Sequence, residues 1–395
     1  VGILGENNST LLNDATGNIT LKEEASVGIF SKSNSNKAQN KGNILTEKKK
    51  SAGMFGSKGE LENTNSITTK DEESAGMYVE HSKATNKKTI LIEGKASAGI
   101  YAKLSEATGG TASGANEGAD AVITMKKEGS AGMLGEVKST VTTTSTLTLT
   151  NSGNININSK NSTGMMLTND SASLAKDNVK AENTGIITLE STTATDNKNI
   201  GILANKKATG INSGTINVNT LESVGMLGQA ASSVVNKKTI NLSAEKGIGM
   251  LAKDTDSTAT NEDTINVDGK QSSGMLAENA GKAENKKSII VTAESGVGVF
   301  VSDTGTGVNT STGEITLKNK NAVGIFAKNN GATYTAENAG KIVLGEADGS
   351  TVHESLIAMF AQAETGKTAS IKNTGTIDIN TKKSVGMYVK NDSTN

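Results

Sequence analysis

The chain has 395 residues and contains no Cys, Pro or Trp; its 40 basic residues are all lysine and its 41 acidic ones leave a net charge of −1. That excludes a disulfide scaffold and thiol-based zinc or redox chemistry. It also gives no electrostatic reason to expect nucleic acid or an anionic membrane as partner, and no apolar run approaches the ~18 residues of a membrane-spanning helix.

From the N-terminus onward one phrase recurs, a small or aliphatic residue, then Gly, then two apolar residues. It reads Val27-Gly28-Ile29-Phe30, Ala52-Gly53-Met54-Phe55 and Ala75-Gly76-Met77-Tyr78, and continues to Val385-Gly386-Met387-Tyr388. Most intervals between these glycines are 23–26 residues, and Ala358 stands where one glycine is expected. Between glycines lies a short alternating strand such as Ile90-Leu91-Ile92, Ile216-Asn217-Val218 or Ile265-Asn266-Val267, and an Asn sits four residues before its first Ile, as at Asn86, Asn212 and Asn261. Period-two alternation, β-branched residues and Asn/Gly/Lys punctuation specify strands and turns.

Three strands of about 5 residues and three turns of about 3 sum to roughly 24. The expected fold is therefore all-β, a three-sided parallel β-helix solenoid of about 14 coils, forming one segment over 1–395. At about 4.8 Å per coil this is a rod on the order of 65–70 Å. One coil cannot bury enough apolar surface to stand alone, so neighbours must share burial and backbone ladders. The inward side chains are expected to be the Ile and Leu/Val of the strand, the residue before Gly, the Met after it, and the small residue two before Asn. The unit is stretched by insertions near 105–120, 136–150, 168–182, 190–199 and 345–355. Loops leaving a rigid scaffold are where binding usually sits, each insertion is equally compatible with a neutral change of length, and the geometry is expected to change around Ala358.

Five Phe and three of four Tyr share one column, the second residue after Gly: Phe30, Phe55, Tyr78, Tyr101, Phe300, Phe326, Phe360 and Tyr388. The column reads as a packing ladder, because Leu replaces the ring elsewhere; the competing reading is a stripe that stacks sugar rings. The Asn column reads as a turn device, since Asn tolerates left-handed backbone and bonds neighbouring backbone groups. Lysine pairs at 87–88, 237–238 and 286–287 read as a solvated edge, and His81 and His353 as ordinary surface residues. No catalytic, cofactor-binding or metal-ligating set is expected: neither a nucleophile elbow, a zinc helix nor a phosphate loop occurs.

The interlocking Asn-strand and Gly phrases, as in the segments Asn285 to Phe300 and Asn373 to Tyr388, resemble the passenger repeats of large fusobacterial type V autotransporter adhesins. The excess of Lys, Asn, Ile and Thr without Arg agrees with an AT-rich bacterial genome. The resemblance implies a right-handed β-helix on the bacterial cell surface, an excerpt of a longer passenger whose only membrane part is a C-terminal outer-membrane barrel absent here. It also implies binding to a host-cell receptor, including immune-cell receptors, to a glycan, or to another bacterium. The expectation is a non-enzymatic adhesin segment. The alternatives are a carbohydrate-active β-helix enzyme, which needs an acidic cleft, and a purely structural stalk.

Overall fold

The computed structural model describes residues 1–33, 36–106, 109–142, 144–190, 198–331, 333, 335–346 and 354–392. The fold is a three-sided right-handed parallel β-helix. It divides into two compact units, Val1–Gly210 and Ile211–Asn395. The single helical element among the described residues is a short 3-10 turn, Lys176–Asn178.

In the first unit the coil Ala75–Glu80, Lys83–Asn86, Thr89–Ile92 shows the pattern. Its strands join a first, a second and a third sheet. Each pairs in parallel with the next coil: Met77 opposite Ile100, Ala84 opposite Gly114, Ile90 opposite Ile123. In the second unit the coil Ile248–Lys253, Thr258–Asn261, Thr264–Val267 repeats it, with Met250 opposite Met275, Ala259 opposite Ala283 and Ile265 opposite Ile289.

The core of each unit is filled by the expected Ile pair, Met and small residue, fully buried in Ile90, Ile92, Met77 and Ala84 and in Ile265, Val267, Met250 and Ala259. The residue before Gly departs from expectation. It is covered where it is Ala, but Val224, Ile248, Val297 and Val323 are half-buried and Val385 is exposed. The inward place belongs instead to the third residue after Gly, buried in Val79, Ala102, Ala252 and Val301. The cause is a slip in alternation at the glycine. Ala75 pairs with Ala98 and Met77 with Ile100, while Gly76 is skipped. A Cβ on Gly76 would lie 2.7 Å from the Gly99 carbonyl oxygen and 2.7 Å from Ile90 Cγ2. The glycine column thus lets successive backbones approach closely, and where it is broken the residue is the smallest side chain, Ala358. At Ala358 the register continues unchanged, Ile325 opposite Met359 and Met359 opposite Met387, so the expected distortion is absent there.

The Asn column bonds neighbouring backbone as expected, Asn63 to the Asn65 carbonyl and Asn86 to the Lys88 carbonyl, but its backbone and its place are a second correction. None of Asn40, Asn63, Asn86, Asn236, Asn261 or Asn285 has positive φ; each is fully buried inside the helix. In the first unit Asn13 Nδ2 donates to Asn40 Oδ1, and the chain of bonds continues through Asn63, Asn86, Asn116 and Asn151 to Asn183, each 2.7–2.8 Å. The second unit has its own ladder from Asn212 through Asn236, Asn261, Asn285, Asn309 and Asn338 to Asn373. The second amide proton turns to backbone: Asn261 Nδ2 also donates to the Asp263 carbonyl at 2.9 Å. Left-handed backbone falls three residues before the Gly, with φ of 49–58° at Ala25, Lys50, Glu73, Ala96 and Asn161 and at Glu222, Lys246, Gln271, Ser295 and Asn321. A buried serine follows it in the first unit. Ser51, Ser74 and Ser97 accept the amide protons of Ser26, Ser51 and Ser74 at 3.0–3.2 Å.

Two substitutions test these columns. Gly249→Val drives a side chain against the Gly274 carbonyl (2.5 Å from a Cβ) and Ile265 Cγ2 (3.0 Å), and is expected to destabilise the second unit by at least ~2 kcal/mol in chemical denaturation; an unchanged midpoint refutes the close-approach argument. Asn261→Leu strands the Asn236 donor and the Asn285 acceptor. The expected loss is about 2–4 kcal/mol, with accelerated amide exchange in the flanking coils.

Candidate docking groove

The aromatic column faces outward and forms two stacks. Phe30, Phe55, Tyr78 and Tyr101 lie at 4.7–4.8 Å between ring centroids within 13° of parallel, and Phe300, Phe326, Phe360 and Tyr388 at 4.9–5.4 Å. Each interior ring spends both faces on its neighbours, so these rings offer edges and no open stacking platform. The Tyr78 hydroxyl donates to Glu80 and the Tyr101 hydroxyl to Glu136, while Lys103 Nζ donates to Glu80 at 2.8 Å. Burial first, then the adjacent carboxylates, hold both tyrosine hydroxyls well above their ordinary pKa. They act as fixed donors. The packing-ladder reading is the one this geometry supports.

The lysine pairs are exposed, as a solvated edge, and three of the six lysines also bridge coils. Lys87 meets Glu62 at 3.0 Å, Lys88 meets Asp120 at 2.9 Å and Lys286 meets Glu262 at 3.6 Å; Lys237 and Lys238 are exposed. His353 lies outside the described residues. His81 is more than a surface residue. Its backbone is left-handed (φ 49°), and its Nε2 accepts the amide protons of Ser105 at 3.2 Å and Glu106 at 3.0 Å. The imidazole therefore fastens the start of the 105–120 insertion, and Thr140 Oγ1 holds the Ser105 carbonyl at 2.8 Å.

The insertions are partly absorbed into regular structure. In the first unit they lengthen strands to Ala98–Leu104, Thr111–Asn116, Ala131–Val137 and Thr146–Asn151, and Leu104, Val137, Val141 and Leu174 are buried beneath them. Of 190–199, residues 191–197 lie outside the described residues; Asn199 is buried and bonds Ser159 and Ser162. Of 345–355, residues 347–353 lie outside them, and Glu354 pairs with Lys383 at 2.9 Å.

Beneath the 105–120 insertion a groove runs along the outer face of the second sheet in the first unit. A cavity of about 620 Å³ between Lys58, His81, Ser82, Glu106, Gly110 and Ser113 lies next to one of about 300 Å³ between Thr10, Lys37, Gln39, Glu62 and Thr85. Glu60 and Lys83 line both. Lys37 stands opposite Glu60 in the ladder, and Lys83 follows one coil on. These three side chains alternate in sign, yet none enters an ion pair among the described residues, unlike the neighbouring Glu62–Lys87, Glu80–Lys103 and Glu106–Lys58 pairs. Donors and acceptors spaced by one coil are left facing the groove. Beside them Gln39 Nε2 donates to Glu62 at 2.6 Å. Burial works against the Glu62 charge, but the bonds from Lys87 and Gln39 outweigh it and hold the carboxyl below the ordinary 4.5. Among the described residues no three His, Asp or Glu are placed to hold a metal ion. No helix is long and apolar enough to cross a membrane, which says nothing of a β-barrel.

A solenoid core with a polar groove on one outer face defines a β-helix repeat protein. Residues 173–248, 243–313 and 297–395 match the family described as BigA third pectate lyase-like domain, and together these segments cover more than half of the chain. The chain belongs to that family. No curated protein and no solved structure matches it.

Cross-coil ion pairs give the stability a definite pH profile. The carboxyls of Glu62, Glu80, Asp120, Glu128, Glu294 and Glu364 are held below their ordinary values, and Lys87, Lys95 and Lys328 above theirs. A depressed carboxyl stabilises above its unfolded pKa and loses that contribution as pH falls through the folded value; a raised lysine loses its contribution only as pH climbs past the ordinary 10.5. The melting temperature is therefore expected to stay flat from about pH 5 to about pH 10 and to drop on both sides. A thermal-melt series across pH checks it.

Proposed function

We propose that the chain is a segment of a bacterial surface adhesin passenger, of the fusobacterial type V kind its motif resembles. It acts by binding rather than by catalysis. The partner is a host-cell receptor, immune-cell receptors included, a glycan, or another bacterium, and the surface that meets it is the groove of the first unit. One observation carries this reading: Lys37, Glu60 and Lys83 stand in register along a groove without protein partners, while charges in adjoining columns are paired across coils. Directed hydrogen-bonding groups left open in a concave surface suit a ligand.

The carbohydrate-active alternative needs an acid and a base converging on one bond. Glu60 is flanked by lysines and Glu106 is held by Lys58 at 3.6 Å, which favours recognition over proton transfer. Extracellular location at the bacterial surface follows from the passenger reading.

The test is binding of the purified chain to host cells and to a glycan array, with Lys83→Glu and Glu60→Lys as separate variants. Each is expected to lower binding by at least about tenfold, while the like charge set beside Glu60 or Lys37 in the ladder lowers the melting temperature only slightly and leaves the chain folded. Binding undisturbed by both removes the groove from the argument. Polysaccharide turnover lost in Glu60→Gln would establish the enzyme instead.

A further inference from the structure

Two backbone amides in the first unit end on one side chain that can take up a proton. His81 Nε2 accepts the N–H groups of Ser105 at 3.2 Å and Glu106 at 3.0 Å. A ring nitrogen that accepts two protons carries none of its own, so the imidazole is neutral with its proton on Nδ1. The other anchors of this stretch are the exposed ion pair Glu106–Lys58 at 3.6 Å and the bond from Thr140 Oγ1 to the Ser105 carbonyl. Neither satisfies an amide proton. Gly110 packs against the Nδ1 edge of the ring, where a Cβ would lie 2.7 Å from that nitrogen. His81, Glu106 and Gly110 line one cavity, so the ring ties together the wall of the groove.

We propose that His81 is a proton-operated latch on this wall, closed when the imidazole is neutral and released when it is charged. Its effect on a ligand rests on the groove being the binding surface; the latch itself rests on the hydrogen bonds. Uptake of one proton from solvent at Nε2 turns the acceptor into a donor. Three N–H groups then point at one another, and the amides of Ser105 and Glu106 must turn to water. Histidine ordinarily changes charge between about pH 5 and 8, where carboxylates and lysines keep theirs. The charges facing the ring come in opposed pairs. Glu80 on its own strand is held by Lys103 on the next coil at 2.8 Å, and Glu106 on the insertion by Lys58 on the preceding coil. Glu60 and Lys83, lining the same cavity, are also opposite in sign. Within each pair one member favours a charged ring and the other opposes it, which leaves the two amide protons as the contacts that charging the ring breaks. Once released, Glu106 leaves the wall and an imidazolium faces the groove. A ligand fitted to the closed groove is expected to bind less tightly in acid.

Hydrogen exchange of the full chain, followed residue by residue, tests the latch. Protection of the Ser105 and Glu106 amides, relative to an unstructured chain at the same pH, is expected to fall at least about tenfold between about pH 7.5 and pH 5, the loss of two hydrogen bonds. The fall is expected to track the charge of the His81 ring, read from its nitrogen chemical shifts. His81→Gln keeps an acceptor with no proton to gain, and Gln271 shows that glutamine takes left-handed backbone in this fold (φ 57°). Its protection is expected to stay at the neutral-pH level of the parent. His81→Lys sets a permanent donor there, as Lys58 does at the equivalent turn one coil earlier (φ 71°), and is expected to leave both amides unprotected at either pH. Protection in the parent chain that does not change with pH overturns the proposal. So does a fall of equal size in His81→Gln, which assigns the effect to the carboxylates. No ligand is needed for this measurement: a chain that passes it yet binds neither host cells nor glycans keeps the latch and loses the groove as a binding surface.

Discussion

A buried amide has to find its partner one coil away, and that requirement governs the rest of each unit. Asn86 is wholly buried, accepts from Asn63 and donates to Asn116, with its other proton on the Lys88 carbonyl at 2.8 Å. Burying such a group unpaired costs several times what the pair contributes. A slip of one residue would turn the whole second strand inside out and leave a row of amides orphaned at once. The ladder therefore fixes register between coils where apolar contacts alone would tolerate sliding. It spans the same ~4.8 Å coil rise as the backbone ladders, and the glycine column has to accept that rise because its backbones meet on the same spacing.

The stacked rings, the serine row and the Lys–Glu staples follow from this. With register fixed, residues of one column sit about 4.8 Å apart, which suits parallel rings in van der Waals contact and a lysine bridging to a carboxylate one coil on. Phe55 over Tyr78 at 4.8 Å and Lys87 to Glu62 at 3.0 Å are two readouts of one spacing. Each exposed pair adds little by itself. Their summed effect is to favour the coil as the repeating unit.

The architecture was legible because the repeat states it many times over. Ile90 and Ile92, Met77 and Ala84 were identifiable as core from period and position alone. Two columns were misread for a physical reason. Asn has the same local signature, a short polar side chain before Lys or Gly, whether it caps a turn or lies inside, and only the stacking of coils distinguishes the two. The left-handed positions are occupied by Ala, Lys, Glu and Gln as often as by Asn, so composition could not reveal them. The residue before Gly was misassigned because alternation was carried through the glycine, where the backbone slips. The groove was legible only as a place: the 105–120 insertion marked it, but nothing local ties His81 to Ser105 and Glu106, which lie a full coil later.

Regularity also determines what this surface can recognise. Because an outward column presents one residue per coil, a substitution changes the chemistry of a single step without disturbing the ladder inside, as the run Lys37, Glu60, Lys83, Ser113 illustrates. The three faces can therefore diverge in character while sharing one core. In the first unit one face carries stacked rings and charge, the second an open charged groove, and the third no charge at all. Length changes add what columns cannot. Ser105 and Glu106, at the start of one such insertion, are anchored on earlier coils by His81 and Lys58. Concavity arises on an otherwise flat solenoid where an insertion is fastened in this way, and there the outward charges are left without protein partners.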